Sequence, residues 1–520
     1  MHSVRHMRLL GTVLDGIEAV EVTLEARLDE ALRPSEPKIV GLASASVREG
    51  LLRARAALRE QLAHELAHQP FGLLVNLSPA DVPKGGRSLD LALTLAWAAV
   101  LRDIPAERLA GLVFLGEVGL EGDVRPVNGA LAALLAATMA GRKGVVLPHG
   151  NLNEAAFARD IPVRGVRHVR EVLAMLEGGF EALRVHEIPA APERDAGGPD
   201  WGDVRGQLQA KRALEIAAAG GHNLLLEGPP GSGKTMLARR LPQLLPELAL
   251  EESRAVAVIQ SAALLHGNAQ LGVRPFRAPH HTASMAGLVG GGQPLRPGEV
   301  SLAHGGVLFL DELPEFERRT LEALREPLEE RVVHVVRATG VREFPADFIC
   351  VAAMNPCPCG FAGLTPVRCR CTVHAAAQYR ARISGPLLDR FDLRHFLRPP
   401  APELLYEDGP HQRACEARTR VLEARQRMER RFGARSTNAR VPDALIRRTV
   451  VREAGMRRLL ATLMARHRLS ARAMRRLERV ALTIADLEGA EHATEAHVLE
   501  ALSYRLVEGI GSSPGQGSQA

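Results

Sequence analysis

Residues 228–235 read Gly228, Pro229, Pro230, Gly231, Ser232, Gly233, Lys234, Thr235, the G-x-x-x-x-G-K-[ST] spacing of a phosphate-binding loop. Glycines let successive backbone N–H groups turn inward around a β-phosphate. A helix that starts where the loop ends points its positive pole at the same anion. Lys234 then reaches the β- and γ-phosphates, and Thr235 holds Mg²⁺. This chemistry, the binding of ATP with Mg²⁺, needs a buried strand before the loop and a helix after it. Leu224, Leu225 and Leu226 supply the strand pattern, and Met236 to Leu245 the helical one.

Hydrolysis needs more groups, and they follow downstream. Val307 to Leu310 is an apolar run ending in Asp311 and Glu312. At that strand tip Asp311 holds Mg²⁺ through water, and Glu312 is the base that polarises the attacking water. Phe348 to Met354 is a further apolar run, and it ends at Asn355, whose amide would lie near the γ-phosphate. Asn before Pro356 also suits a plain turn. Arg390, in Leu388-Asp389-Arg390-Phe391-Asp392, is a candidate for the arginine that one ring subunit lends to the next. Such lending requires head-to-tail contacts that close into a ring. Arg472, at the start of a helical pattern capped by Ser470, is placed to reach the phosphate from the lid of its own subunit. Arginines of both kinds are also common on ordinary surfaces.

Cys357 with Cys359, and Cys369 with Cys371, place four thiols in two C-x-C pairs. Four thiolates can surround a tetrahedral Zn²⁺, and with every position taken by cysteine the ion would be structural. Free thiols or a redox pair would use the same residues. The cysteines do not look like a disulfide framework, which fits a reducing compartment.

The elements that must position these groups fall into an α/β plan. Residues 1–175 alternate β-like runs (72–77, 112–115, 144–147) with helical runs (47–66, 89–101, 130–140) and read as one α/β domain. Residues 176–200 form a Pro/Gly-rich linker, residues 201–398 a parallel-sheet nucleotide domain, residues 399–510 a helical lid, and residues 511–520 a disordered tail. A chain of 520 residues that is 46% hydrophobic and 24% charged suits a soluble multidomain protein. Its longest apolar run, Leu91 to Leu101, is too short to span a bilayer, and no signal-peptide core opens the chain. The expectation is a cytoplasmic protein with no membrane partner. Net charge is +6, yet residues 411–480 hold 20 Arg against 6 Asp plus Glu, net +14. Charged residues usually form a solvated face, but an excess this lopsided favours a polyanion. With few Tyr or Phe nearby, DNA would be held by its phosphates, without sequence preference and with strong salt sensitivity.

These motifs are similar to those of the magnesium-chelatase-like AAA+ family of bacteria, in its ComM/YifB branch, and the likeness covers nearly the whole chain. It is carried by the P-loop, Phe276 to Thr282, Leu310 to Glu315, Asn355 to Gly360 and Leu388 to Asp392. The resemblance implies that Asn355 is sensor 1, Arg390 the arginine finger and Arg472 sensor 2. His280 and His281 belong to the shared stretch, and buried, hydrogen-bonded histidines are the expectation there. The N-terminal region resembles the Lon protease domain. Ser88 falls at the Lon nucleophile and Leu131 where its lysine would stand, which leaves the serine without a base and suits a helix N-cap instead. The resemblance implies a homo-hexameric ring that hydrolyses ATP and moves on branched or single-stranded DNA. Its role would be branch migration in homologous recombination during natural transformation. The competing readings are a chelatase motor subunit, an ATP-dependent protease and a protein-remodelling ATPase.

Overall fold

The computed structural model describes residues 6–178, 201–263, 271–293, 295–337, 340–364, 369–399, 414–450 and 454–505. The expected tail and all but the first three residues of the expected linker lie outside the described residues. Helix Val169–Gly178 runs across the expected boundary at residue 175.

The N-terminal part is built on a seven-stranded mixed sheet. Its order is Lys38–Val40, Gly72–Ser78, Glu18–Asp29, His6–Asp15, Leu112–Phe114, Gly144–Pro148, Val163–Val166. His6–Asp15 and Glu18–Asp29 form a long antiparallel hairpin, while Leu112–Phe114, Gly144–Pro148 and Val163–Val166 run parallel. Side chains alternate between two cores: Leu112 and Phe114 enter one, Val113 and Leu115 the other. Helix Asp90–Leu101 is buried along its whole length. That burial is why its sequence is apolar on every face.

The central part is a five-stranded parallel sheet in the order Phe276–Arg277, Val307–Leu310, Ile349–Met354, Leu224–Glu227, Leu393–Phe396. Alternate residues again face opposite cores. Leu224, Leu226, Val307, Phe309, Val351 and Ala353 pack on one side, and Leu225, Leu308, Leu310, Cys350 and Ala352 on the other. A sheet buried on both faces reads in sequence as continuous apolar runs, which is how these strands were legible. The register sets Leu310 opposite Ala352 and Glu227 opposite Met354. The residues that follow these three strands therefore emerge along one edge, the carboxyl edge where α/β sheets bind ligands.

The C-terminal helices Ala414–Phe432, Asp443–Val450, Ala454–Arg466, Ala471–Leu487 and Glu495–Ser503 cover one face of that sheet. Met474, Leu477, Ala481 and Ile484 form the buried stripe of Ala471–Leu487, and the Ser470 hydroxyl accepts the Ala473 N–H at 3.1 Å to cap it. The first domain docks on the second at two places. The Glu154 carboxylate accepts the Leu131 N–H at 2.8 Å and also the Ser261 hydroxyl. Arg342, on the hairpin Val332–Arg337/Gly340–Pro345, pairs with Asp15 at 2.6 Å.

Candidate active site

Gly231 and Gly233 have φ of +77° and +92°, a left-handed backbone that side-chain-bearing residues rarely adopt. They turn the chain tightly into helix Lys234–Leu244, so Lys234 is its first residue. Lys234 is nearly buried, and Nζ donates to the carbonyls of Gly228 (2.7 Å) and Pro229 (2.8 Å) and to Asn355 Oδ1 (3.2 Å). Burial pushes its ammonium pKa down, and the charges of Asp311 and Glu312 act against that shift. The Ser232 hydroxyl is buried and has no hydrogen-bond partner among the described residues. A spare donor inside the loop is what a phosphate oxygen would use.

The Thr235 hydroxyl donates to Asp311 Oδ2 at 2.7 Å, so the two oxygens meet where one hard cation would be shared. This donor set fits Mg²⁺. Glu312 has φ of +51°, and its N–H donates to Asp311 Oδ1 at 2.9 Å. The strained backbone turns its carboxylate into the open, where Oε2 lies 3.2 Å from His281 Nδ1. Asn355 is held through its amide oxygen by Lys234, and its backbone lies by the Tyr379 ring oxygen. Burial pushes that tyrosine up to about 12. Lys234, Thr235, Asp311, Glu312 and Asn355 thus come together at one sheet edge.

Arg390 and Arg472 do not join them. Both guanidinium groups pair with Glu329. Arg390 also donates to the Arg325 carbonyl (3.1 Å), and its own carbonyl accepts from the Asn223 amide (3.2 Å). Asn223 immediately precedes strand Leu224–Glu227, whose far end carries the P-loop. The two arginines therefore lie at the amino end of the sheet, opposite the phosphate site. They line a cavity of about 250 Å³ among seven arginines and four carboxylates. Burial lowers the Arg390 pKa there, and the Arg325 charge adds to that shift. The expectation that Arg472 reaches the phosphate of its own subunit is corrected: the lid packs so that its helix start meets Arg390, not Lys234.

Two further expectations change. His280 is exposed and His281 is half-buried, with Nδ1 of His280 on the Thr282 hydroxyl (2.8 Å) and His281 against Glu312. They are surface groups at the mouth of the site, because they follow the short strand Phe276–Arg277 beside the acid-bearing strand. Glu329 was not anticipated. It sits in a short charged helix, Arg325–Glu330, that carries no distinguishing signal. The arginine excess is also divided. Arg420 pairs with buried Glu215 and Arg431 with buried Asp486, while Arg425 donates to the Ala218 carbonyl. Arg447, Arg448, Arg457, Arg458, Arg466 and Arg468 remain exposed.

The four cysteines gather beside the P-loop. Sγ of Cys357 lies 3.4 Å from Cys359 and 3.6 Å from Cys369, and all four sulfurs fall within 4.8 Å of one another. The backbone N–H groups of Arg370 and Phe361 point at the Cys359 sulfur and draw its thiol down to about 6.

Three family patterns match the chain: "Magnesium chelatase, subunit ChlI" over 200–403, "Subunit ChlI of Mg-chelatase" over 22–151, and "Magnesium chelatase, subunit ChlI C-terminal" over 411–505. The Escherichia coli protein YifB is 40% identical over 495 residues, 95% of this chain and 96% of that one. The Haemophilus influenzae competence protein ComM is 39% identical over 501 residues, again 95% and 96% of the two chains. The chain belongs to the ComM/YifB branch of the magnesium-chelatase-like AAA+ family. The N-terminal domain of this ComM/YifB-branch ATPase also matches the Lon protease of Halothermothrix orenii, at 30% identity over 141 residues, 26% of this chain and 18% of the protease.

In that Lon-like domain Leu131 is fully buried where an amine would be needed. The Ser88 hydroxyl donates to the Thr12 carbonyl at 2.7 Å. Ser88 is not the expected N-cap, because helix Asp90–Leu101 begins after Leu89, which provides no side-chain cap. The hydroxyl instead ties the helix entrance to the central strand of the sheet. Among the described residues no helix is long and apolar enough to cross a membrane.

Proposed function

We propose that this AAA+ ATPase works as a homo-hexameric ring that couples ATP hydrolysis to movement on DNA, a branch-migration helicase of the ComM type. Lys234 and the P-loop N–H groups bind the phosphates. Thr235 and Asp311 hold Mg²⁺, which neutralises phosphate charge when bound. Glu312 takes the proton of the attacking water, and Asn355 fixes that water's approach from the sensor position. The observation that carries the ring is the place of Arg390 and Arg472 at the sheet end opposite their own P-loop. That place suits a neighbour's γ-phosphate rather than their own, a site that would be complete only between subunits.

DNA as the track rests on the exposed arginines of helices Asp443–Val450 and Ala454–Arg466 and on the similarity to the Haemophilus competence protein ComM. Natural transformation and homologous recombination are the setting that similarity suggests. The arginines that turn inward favour a second reading, a protein-remodelling or chelatase-type ATPase without DNA translocation. The four cysteines suit a structural Zn²⁺. Light scattering in ATP, with anisotropy of labelled branched and single-stranded DNA across a salt series, tests the proposal. A hexamer whose DNA affinity falls steeply with salt supports it. A monomer in ATP, or no DNA binding at low salt, rejects it.

A further inference from the structure

We propose that Cys357, Cys359, Cys369 and Cys371 bind one Zn²⁺ and that this ion staples helix Val373–Ala381 to the end of strand Ile349–Met354, so that zinc occupancy sets the geometry of the ATP site. The inference rests on the reading of that site as a nucleotide site. The donor set fits the ion. Zn–S bonds of about 2.3 Å in a tetrahedron put sulfurs about 3.8 Å apart. Three of the pairs here are at 3.4, 3.6 and 3.5 Å, and all four cysteines are free thiols.

The consequence for ATP follows from what the cluster holds at each end. On one side, Cys357 is fully buried two residues after Asn355, the residue that accepts from Lys234. Gly360, with φ of +84°, turns the chain so closely onto the P-loop that a Cβ there would stand 2.6 Å from Pro230 Cδ. On the other side, Cys371 directly precedes Thr372, the N-cap of helix Val373–Ala381. That helix returns to the site. Its Arg380 donates to the Pro356 carbonyl at 3.2 Å and to Glu227 at 3.0 Å. Glu227 is the last residue of the strand that leads into the P-loop. Without the ion, four sulfurs have no common partner, and the helix loses its anchor at the end next to sensor and loop.

The test uses the full chain. Elemental analysis of protein purified without chelator should find about one zinc per chain, and the Cys359→Ser/Cys371→Ser double variant should hold none. Affinity for a fluorescent ATP analogue should fall on the order of tenfold in the double variant, in line with losses from removing supporting groups. Cys371→His should keep both metal and affinity, because imidazole can replace a thiolate on zinc. Since the double variant risks misfolding, the same affinity is measured on wild-type protein stripped by chelator, with helix content followed by circular dichroism, and again after zinc is restored. A Co²⁺ titration should give the intense visible bands of a tetrahedral thiolate site. Absence of metal and of those bands overturns the inference, as does zinc removal with nucleotide affinity unchanged. Zinc-dependent nucleotide binding in a chain that turns over no ATP leaves this inference standing and sinks the motor reading.

Discussion

Replacing Arg390 by Ala should abolish hydrolysis in the neighbouring subunit and leave the variant's own nucleotide site intact. Asn223 and Gly228, the first residue of the P-loop, lie five strand steps apart at about 3.3 Å each, roughly 16 Å. An arginine side chain reaches roughly 7 Å from its Cα by bond lengths. Arg390, anchored at the Asn223 end, cannot close that distance. An arginine supplied from a neighbour is worth on the order of 10³-fold or more in turnover, so Arg390→Ala homomers should be inert although they bind ATP. Lys234→Ala homomers should be inert because they cannot. Mixed in equal amounts, the two variants regain an active interface wherever an Arg390→Ala subunit, with its intact P-loop, faces a Lys234→Ala subunit, with its intact arginine. Random assembly makes that about one interface in four, so turnover should return to about a quarter of wild type if interfaces act independently. The assay is steady-state phosphate release from co-refolded or co-expressed mixtures. Mixtures as inert as their parents, in rings shown to contain both variants, would refute the two-subunit site.

Three other outcomes follow from the same geometry. Glu312→Gln should keep ATP affinity and lose 10²- to 10⁴-fold in turnover, about what a positioned general base contributes; equal losses in binding and turnover would remove Glu312 from that role. Gly360→Ala should weaken nucleotide binding and cost roughly 1–3 kcal/mol of stability, because the new methyl meets Pro230 and the backbone is left-handed; denaturant unfolding with a nucleotide titration measures both, and an unchanged pair would contradict the packing described. Partial burial raises the pKa of half-buried Asp392, yet the His222 hydrogen bond and the charges of His222, Arg476 and Arg505 hold it below the ordinary carboxylate value. A carboxyl with a depressed folded pKa stabilises fully above the unfolded value of about 3.9 and loses that contribution as pH falls through the folded pKa. Thermal melts should therefore show wild type losing more stability than Asp392→Asn in this acid range, and parallel curves would contradict the assignment.

Much of the nucleotide site is legible in sequence because its determinants are local. A parallel strand buried on both faces is a run of apolar residues, and the first polar residue after it marks the sheet edge. Asp311, Asn355 and the P-loop all follow that pattern. Arg472 does not, since its location depends on how the lid helices pack against the amino end of the sheet. Nothing in the order of residues around Ser470 says which end of the sheet that helix will meet. Ser88 illustrates the same limit at short range: a serine before a helical run suits a cap, but the helix begins two residues later and the hydroxyl finds the Thr12 carbonyl of a distant strand. The arginine-rich segment could be counted but not divided, because the carboxylates that claim Arg420 and Arg431 lie elsewhere in the chain or on another helix.

The most direct test of a DNA-driven ring motor is ATP hydrolysis with and without branched DNA, at low and moderate salt, beside a Lys234→Ala control. The account predicts turnover that rises with DNA, weakens as salt increases and vanishes in the control. Robust Lys234-dependent hydrolysis that no DNA alters would contradict it.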